Sequence, residues 1–298
     1  METTHMNWNE ALNHFGLDYE VAKRPVVALL GNGQSAPVDN LYSIVRTDTN
    51  EPLSGVAVNG RYTCIQTKAY ADIGNKICGQ LGAEFVRGGK LLHGRGLYLQ
   101  AKLPDTIRVK GTDDAINKYL TFVTSHDGSM NFSVLATAMR LFCENQMNAL
   151  MRAARNNGVK IRHTASADER ILDVDTTILD TLNAYRVFEQ KIDWLADQRF
   201  TDLQFDLAVQ KFFDIEGAAD VSTRAKNNIA KLKESYLVGP GQHMFRGTAW
   251  GAFNGFTNWI EHVRSTKGDT DSFESSLIGS GAGLRIKALD SIESAMLA

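Results

Sequence analysis

Hydrophobic residues recur in two different patterns along the first half of the chain. Between residues 83 and 125, short runs of β-branched and aromatic residues are separated by glycine-rich turns, and this pattern predicts several β-strands. In residues 130–156 the apolar residues recur every three or four positions, which predicts a long amphipathic helix. The apolar face of that helix contains Phe132, Leu135, Met139, Phe142, Cys143, Met147, Leu150 and Ala154.

Weaker patterns precede this region. Trp8, Leu12 and Phe15 have the spacing of a short helix, and the glycine-, proline- and asparagine-containing residues 31–40 indicate a loop. Two short strands are predicted on either side of the turn at residues 50–52, and a helix is predicted over residues 67–81 with Gly82 as its stop signal.

After residue 162 the pattern is helical throughout. Helices are expected within residues 163–198, 201–214, 222–237, 247–268 and 283–297. These elements predict an α+β fold, in which an antiparallel sheet is flanked by helices (a β-β-α-β-β-β-α core) and followed by a helical C-terminal half. The expected division is an N-terminal segment 1–40, an α+β core 41–162 and a helical region 163–298.

The composition is that of an ordinary globular protein. The longest aliphatic run, residues 26–30, is far too short to span a bilayer, and residues 1–24 lack the pattern of an export signal, so we expect a cytoplasmic protein without membrane contact. Cys64, Cys78 and Cys143 are odd in number and lack metal-ligand spacing, which favours reduced thiols and predicts neither a metal nor another cofactor.

Charge is distributed unevenly although the net charge is only −2. Residues 60–162 contain fifteen basic and seven acidic residues, a local charge of +8 that is typical of a site for an anionic partner. The alternative is that a sheet-rich region simply carries solvated charges. The predicted nucleic-acid-binding residues are Arg87, Lys90, Arg95, Lys102, Arg140, Asn145, Asn148, Arg152, Arg155, Lys160 and Arg162.

Catalytic chemistry is a second hypothesis, with His93, His126 and Asp127 as its candidate residues. No catalytic or metal-binding motif surrounds them, and an aspartate beside Gly128 more often bonds its own backbone in a turn. Residues 279–283, GSGAG, open a predicted helix whose amides can cradle a phosphate, or alternatively form a subunit contact.

Several segments together resemble a known family. They are SHDGS (125–129), RLFCENQMNAL (140–150), IRHTASADER (161–170), GTAWGAFNGFTNWIEH (247–262) and IGSGAGLRIKAL (278–289). They are similar to the phage and plasmid domain-of-unknown-function family nine-three-two, although Phe142 replaces a valine and Gln-Met replaces a Thr-Leu pair of that family's pattern. This resemblance implies no particular activity.

A second resemblance rests on the order of elements and on a basic, amide-rich face of the predicted helix, which carries Arg140, Asn145, Asn148, Arg152 and Arg155. Helix, three strands and helix in succession resemble the core of the single-strand annealing recombination proteins of the RecT, Redβ, Erf and Rad-fifty-two type. That resemblance implies an oligomeric ring or filament, no catalytic residue, and a basic groove for single-stranded DNA. We therefore expect a single-stranded DNA-binding and strand-annealing protein; the alternatives are a metal-dependent nuclease-like hydrolase and a phage protein that binds host factors.

Overall fold

The computed structural model describes residues 6–140, 160–161, 174–218, 220–264, 272–277 and 279–298. The chain forms two compact units. The first unit comprises residues 1–104, 119–136 and 157–182, and the second comprises residues 105–118, 137–156 and 183–298. Among the described residues, no helix has the length and apolar character needed to cross a membrane. The domain boundaries expected at residues 40 and 162 stay predictions.

The first unit begins with a short helix and a three-stranded antiparallel sheet. Helix α1, Trp8–His14, begins with a capping box. The Asn7 side chain accepts a hydrogen bond from the Glu10 amide, and the Glu10 side chain accepts one from the Asn7 amide. The sheet has the order β1-β2-β3, with strands β1 (Val21–Leu29), β2 (Ser35–Arg46) and β3 (Pro52–Asn59).

The predicted loop at residues 31–40 is wrong over most of its length, because β2 already begins at Ser35. Strand β1 also lies in a segment for which the sequence predicted no strand. Both errors have one cause: the two strands form a largely exposed hairpin, so they lack the alternation of buried and exposed residues from which strands are usually predicted.

Helix α2 confirms the prediction for residues 67–81. A 3-10 turn, Thr67–Tyr70, leads into α2, Ala71–Leu81, and Gly82 ends the helix with a φ of +61°. The side chain of Trp8 packs directly on Gly74, where an added Cβ would lie 2.2 Å from the indole ring. Glycine is therefore required at position 74 for the two helices to approach each other.

The second sheet has five strands in the order β4-β5-β6-β7-β8. The strands are β4 (Glu84–Leu91), β5 (Gly96–Arg108), β6 (Ala115–Ser125), β7 (Phe132–Arg140) and β8 (Lys160–Ile161). In the first unit, buried aromatic side chains from this sheet and from the helical segments pack against one another. They are Trp8, Tyr70, Phe85, Phe122 and Phe132.

Strand β7 corrects the helix predicted for residues 130–156. Residues 132–140 form a strand that is buried along nearly all of its length, and residues 141–156 lie outside the described residues. An apolar run that is buried on both faces has no alternation, and at this length it satisfies a helical pattern equally well. The Asp127-Gly128 turn is confirmed, but it connects β6 to β7 rather than opening a helix.

Helices dominate the second unit, as predicted for the C-terminal half. They are α3 (Val174–Asp197, whose first residues belong to the first unit), α4 (Asp202–Phe212), α5 (Thr223–Val238), α6 (Ala249–Asn258), α7 (Ser272–Leu277) and α8 (Ser280–Met296). Thr201, Ser222 and Thr248 cap three of them through their hydroxyl oxygens. A π-helical turn, Trp259–Val263, follows α6.

Candidate functional site

Arg140, the first arginine of the predicted basic face, is fully buried in the second unit. Its Nε donates to Asp114 Oδ2 at 2.5 Å, and one terminal nitrogen donates to Asn254 Oδ1 at 3.2 Å and to the Pro240 carbonyl at 3.3 Å. The guanidinium carbon also lies 5.1 Å from the centre of the Phe245 ring. Arg140 is thus a structural residue, and its assignment to a phosphate-binding surface is wrong because no solvent reaches it.

Six more of the predicted nucleic-acid-binding residues follow Arg140 in the sequence. Asn145, Asn148, Arg152, Arg155 and Arg162 lie outside the described residues. The backbone of Lys160 is described in β8, where it pairs with Ser133 of β7.

Strands β4 and β5 carry three more of the predicted basic residues. Arg87 pairs with Gln100, and Lys102 lies two positions further along β5, so Arg87 and Lys102 project from the same face of the sheet. Lys90 pairs with Leu97 and projects from the opposite face. Strand β4 is an edge strand, because it comes first in the order of its sheet. Arg87 and Lys90 therefore lie beside the same sheet edge, one on each face of the sheet.

Arg95 lies in the connection between β4 and β5, in a strained loop. Leu92, His93 and Gly94 have φ values of +52°, +56° and +89°, a region that the first two residue types rarely adopt. The Arg95 Nε donates to the Leu92 carbonyl at 3.2 Å, and a terminal nitrogen reaches Asp127 Oδ2 at 3.5 Å. The Arg95 side chain stays 25% exposed, whereas that of Asp127 is 3% exposed.

Asp127 lies in the turn between β6 and β7, and its side chain bonds the backbone of that turn, as its position beside Gly128 predicted. One carboxylate oxygen accepts the Ser129 amide at 3.0 Å and the Ser129 hydroxyl at 2.6 Å. Burial acts to raise the pKa of Asp127, but the bonds from Ser129 and Ser125 and the charge of Arg95 outweigh it, so the pKa lies below its ordinary value. The carboxylate therefore has a structural role in this turn.

His126 is buried in the first unit, 5.6 Å from the ring of Tyr19. Its carbonyl accepts the Tyr62 hydroxyl at 2.6 Å, and burial raises the pKa of the nearby Cys64 thiol to about 11. A thiol with that pKa is protonated and a poor nucleophile at neutral pH. Within the described ranges, no three His, Cys, Asp or Glu side chains are grouped so that they could hold a metal ion.

A surface that the sequence analysis missed lies beside the three-stranded sheet. Arg46 approaches the ring of Tyr19 to 4.2 Å and Lys90 approaches it to 5.8 Å, while Lys23 Nζ lies 5.3 Å from the ring centre of Tyr42. We name this group, Tyr19, Lys23, Tyr42, Arg46 and Lys90, the tyrosine–cation surface. In the sequence, the signal for this surface was the Lys23-Arg24 pair within a run of aliphatic residues, in a segment whose hydrophobic pattern is weak.

The members of the tyrosine–cation surface differ in accessibility. Lys90 is exposed, Lys23, Tyr42 and Arg46 are half-buried, and Tyr19 is buried. Lys23 Nζ donates to the carbonyls of Gly60 and Tyr62 at 2.9 and 2.7 Å, which holds its charge beside the Tyr42 ring. Arg46 is paired with Asp48 through two hydrogen bonds.

Two further predicted features belong to the second unit. The GSGAG segment does open helix α8, but the Gly281 amide donates to the Ser275 hydroxyl, and an added Cβ at Gly281 would lie 3.0 Å from the Ser275 carbonyl. The aromatic residues Trp250, Phe253 and Phe256 of α6 are fully buried. Their role is core packing.

The fold and the site geometry define a two-unit α+β protein with an accessible basic surface on its first unit. Comparison with known protein families matches residues 56–277 to the family described as Domain of unknown function (DUF932), and the chain therefore belongs to that family. No curated protein and no solved structure matches the chain.

Proposed function

We propose that the protein binds single-stranded DNA and anneals complementary strands as an oligomer. The observation that carries the proposal is the tyrosine–cation surface of the first unit. Surfaces that hold single strands without sequence preference combine cations, which follow the phosphate backbone, with aromatic rings on which bases stack. Lys23 beside the half-buried Tyr42 provides this combination, and Lys90 adds an exposed charge next to the buried Tyr19.

Further support comes from the edge of the second sheet. Arg87 and Lys90 lie on either side of the outer edge of β4, and Lys102 shares a face with Arg87. A flexible polynucleotide that runs along this edge meets cations on both sides. Annealing breaks no covalent bond, so a binding surface without a catalytic group suffices for it.

The salt dependence of binding tests the site. Each phosphate contact on a single strand contributes about 0.7 to the slope of log affinity against log salt concentration. The triple variant Arg87→Ala, Lys90→Ala, Lys102→Ala should therefore flatten that slope by about 2. The measurement is fluorescence anisotropy of a labelled oligonucleotide over a series of salt concentrations.

The second unit offers a matched control. Arg224, Lys226 and Lys231 are exposed on helix α5, and their replacement by alanine removes the same charge from the other unit. This control should keep the wild-type slope. Equal slopes for the two triple variants would mean that the first unit is not the binding surface.

Annealing itself is measured as the rate at which two complementary labelled strands pair, with and without the protein, in a chelator and without nucleotide. Acceleration under these conditions supports the proposal. Loss of labelled oligonucleotide only when a divalent metal is added would favour the hydrolase instead. A protein that neither binds nor anneals single strands would leave a protein-binding role as the better interpretation.

A further inference from the structure

The hairpin of β1 and β2 extends beyond the three-stranded sheet as a two-stranded arm, residues 26–38. Strand β3 pairs with β2 only between residues 41 and 45. At the root of the arm Pro25 pairs with Tyr42, and the first pair within the arm is Val27 with Pro37. Between these two pairs, four residues of β2 lie opposite one residue of β1. This bulge, in which Asn40 has a φ of +55°, separates the arm from the rest of the sheet.

The arm has a defined structure up to its tip. Its two strands pair through Val27 with Pro37, Ala28 with Ala36, and Leu29 with Ser35. At the tip the Leu30 amide donates to the Gln34 carbonyl at 2.7 Å and the Gly33 amide donates to the Leu30 carbonyl at 2.9 Å.

The surface of the arm is unusual for a segment in contact with water. Eleven of its thirteen residues are exposed, eight of the thirteen are apolar, and none is charged. Val27 and Leu29, which alternate onto one face, are 58% and 82% exposed. An isolated two-stranded hairpin is only marginally stable in water, and natural proteins protect exposed strands with charges or cover them. The arm has no such charge, so its composition indicates that another surface covers it.

We infer that the arm covers the same arm of a second copy of this chain. In a two-fold symmetric contact, residues near the axis lie against their own copies, so a charged residue there would face its own charge. An uninterrupted uncharged stretch avoids this repulsion. The charged residues nearest to the arm, Arg24 and Asp39, lie just outside it at its root.

The size of the arm sets the expected strength of this contact. Each side of a stable interface contributes about 20 to 30 residues and buries about 800 Å². One arm supplies thirteen residues to its side of an arm-to-arm contact, fewer than such an interface contains, so we expect a weak dimer that dissociates on dilution.

This inference rests on the proposed function in one respect, namely that the working form is an oligomer. Its test therefore omits nucleic acid. The mass of the full chain is measured by sedimentation or light scattering from about 1 to about 50 μM, a range that covers common dimer affinities. The wild type should form dimers or larger species, and the double variant Val27→Glu, Leu29→Glu should have the mass of one chain.

The control variant carries the same charge at two exposed leucines elsewhere. Leu179 and Leu203 are 66% and 70% exposed on α3 and α4, and Leu179→Glu, Leu203→Glu should keep the wild-type mass. The variant Leu29→Cys should also form a disulfide-linked dimer on mild oxidation, whereas Leu203→Cys should not.

Three results would overturn the inference. They are a wild type that remains a single chain throughout this range, an arm variant that keeps the wild-type mass, and an arm whose substitution changes only binding to lipid vesicles. An arm variant that becomes a single chain yet binds oligonucleotide with the wild-type salt slope would support the arm inference separately from the DNA site. A chain that dimerises through the arm but does not bind DNA would contradict the proposed function alone.

Discussion

The two units contain arginine–aspartate pairs that look alike in sequence and differ in every physical respect. In the second unit, Arg140 and Asp114 are both fully buried and 2.5 Å apart. In the first unit, Arg95 remains partly exposed and lies 3.5 Å from Asp127. Both arginines were predicted to bind phosphate. The comparison teaches that burial, and not residue type, decides whether an arginine can meet a ligand.

The same contrast extends to the other basic residues. The second unit also buries Arg285 against Glu261, and burial lowers the pKa of that guanidinium. In residues 6–104 of the first unit, every lysine and arginine is exposed or half-buried. The second unit thus uses two of its arginines, Arg140 and Arg285, for internal contacts, and residues 6–104 of the first unit contain no such buried cation.

The two carboxylates also respond differently. Burial raises the pKa of Asp114 above its ordinary value although Arg140 opposes this effect. Around Asp127 the hydrogen bonds from Ser129 outweigh burial, and the pKa is lowered. Desolvation thus determines the direction of the pKa shift at Asp114, and hydrogen bonding to the charged form determines it at Asp127.

The largest expected effect comes from breaking the buried pair. Arg140→Met leaves the Asp114 carboxylate buried without its partner, so the free energy of unfolding should fall by about 3 to 5 kcal/mol. Urea denaturation followed by circular dichroism measures this loss. The double variant Arg140→Met, Asp114→Leu replaces both charges by apolar groups and should recover most of the stability. A single variant that loses less than about 1 kcal/mol while losing oligonucleotide affinity would return Arg140 to the binding surface.

A smaller effect, with a definite pH dependence, is expected for Asp127→Asn. The folded-state pKa of Asp127 lies below its unfolded value of about 3.9. The ionised carboxylate therefore contributes its full share to the free energy of unfolding above about pH 3.9, and this share is lost as the pH falls through the folded-state pKa. The variant should be less stable by about 1 kcal/mol at pH 7, and the difference from wild type should disappear in acid. Urea unfolding between about pH 7 and about pH 2 tests this range. The exposed Asp39→Asn serves as the control and should follow the wild-type curve at every pH.

The smallest effect is expected for Arg95→Ala. A partly exposed pair at 3.5 Å is screened by water, so the loss of stability should stay below about 1 kcal/mol. Denaturation under the conditions used for Arg140→Met gives a direct comparison. If Arg95→Ala instead destabilised the protein as much as Arg140→Met, the physical distinction between the two pairs would fail.

Local signals in the sequence predicted much of the fold. Gly82 ends α2 in the left-handed conformation, Thr201 caps α4, and Asp127 bonds the backbone of its own turn, as each residue type favours. The candidate site was predicted less well. Lys90 is exposed, Arg87 and Lys102 are half-buried, and their role in binding stays a prediction. Tyr19 and Tyr42 were not identified, because the cations that lie against their rings are distant in the sequence.

The sequence by itself determined the α+β class, the helical C-terminal half and the family, because these depend on short-range patterns and on motifs. Only the tertiary structure decided that residues 132–140 are a strand, since pairing within the sheet selects between two conformations that an apolar run fits equally. It also decided the role of Arg140, whose partners lie 26 positions before it and 114 after it. Burial depends on such distant residues, and no local pattern records it.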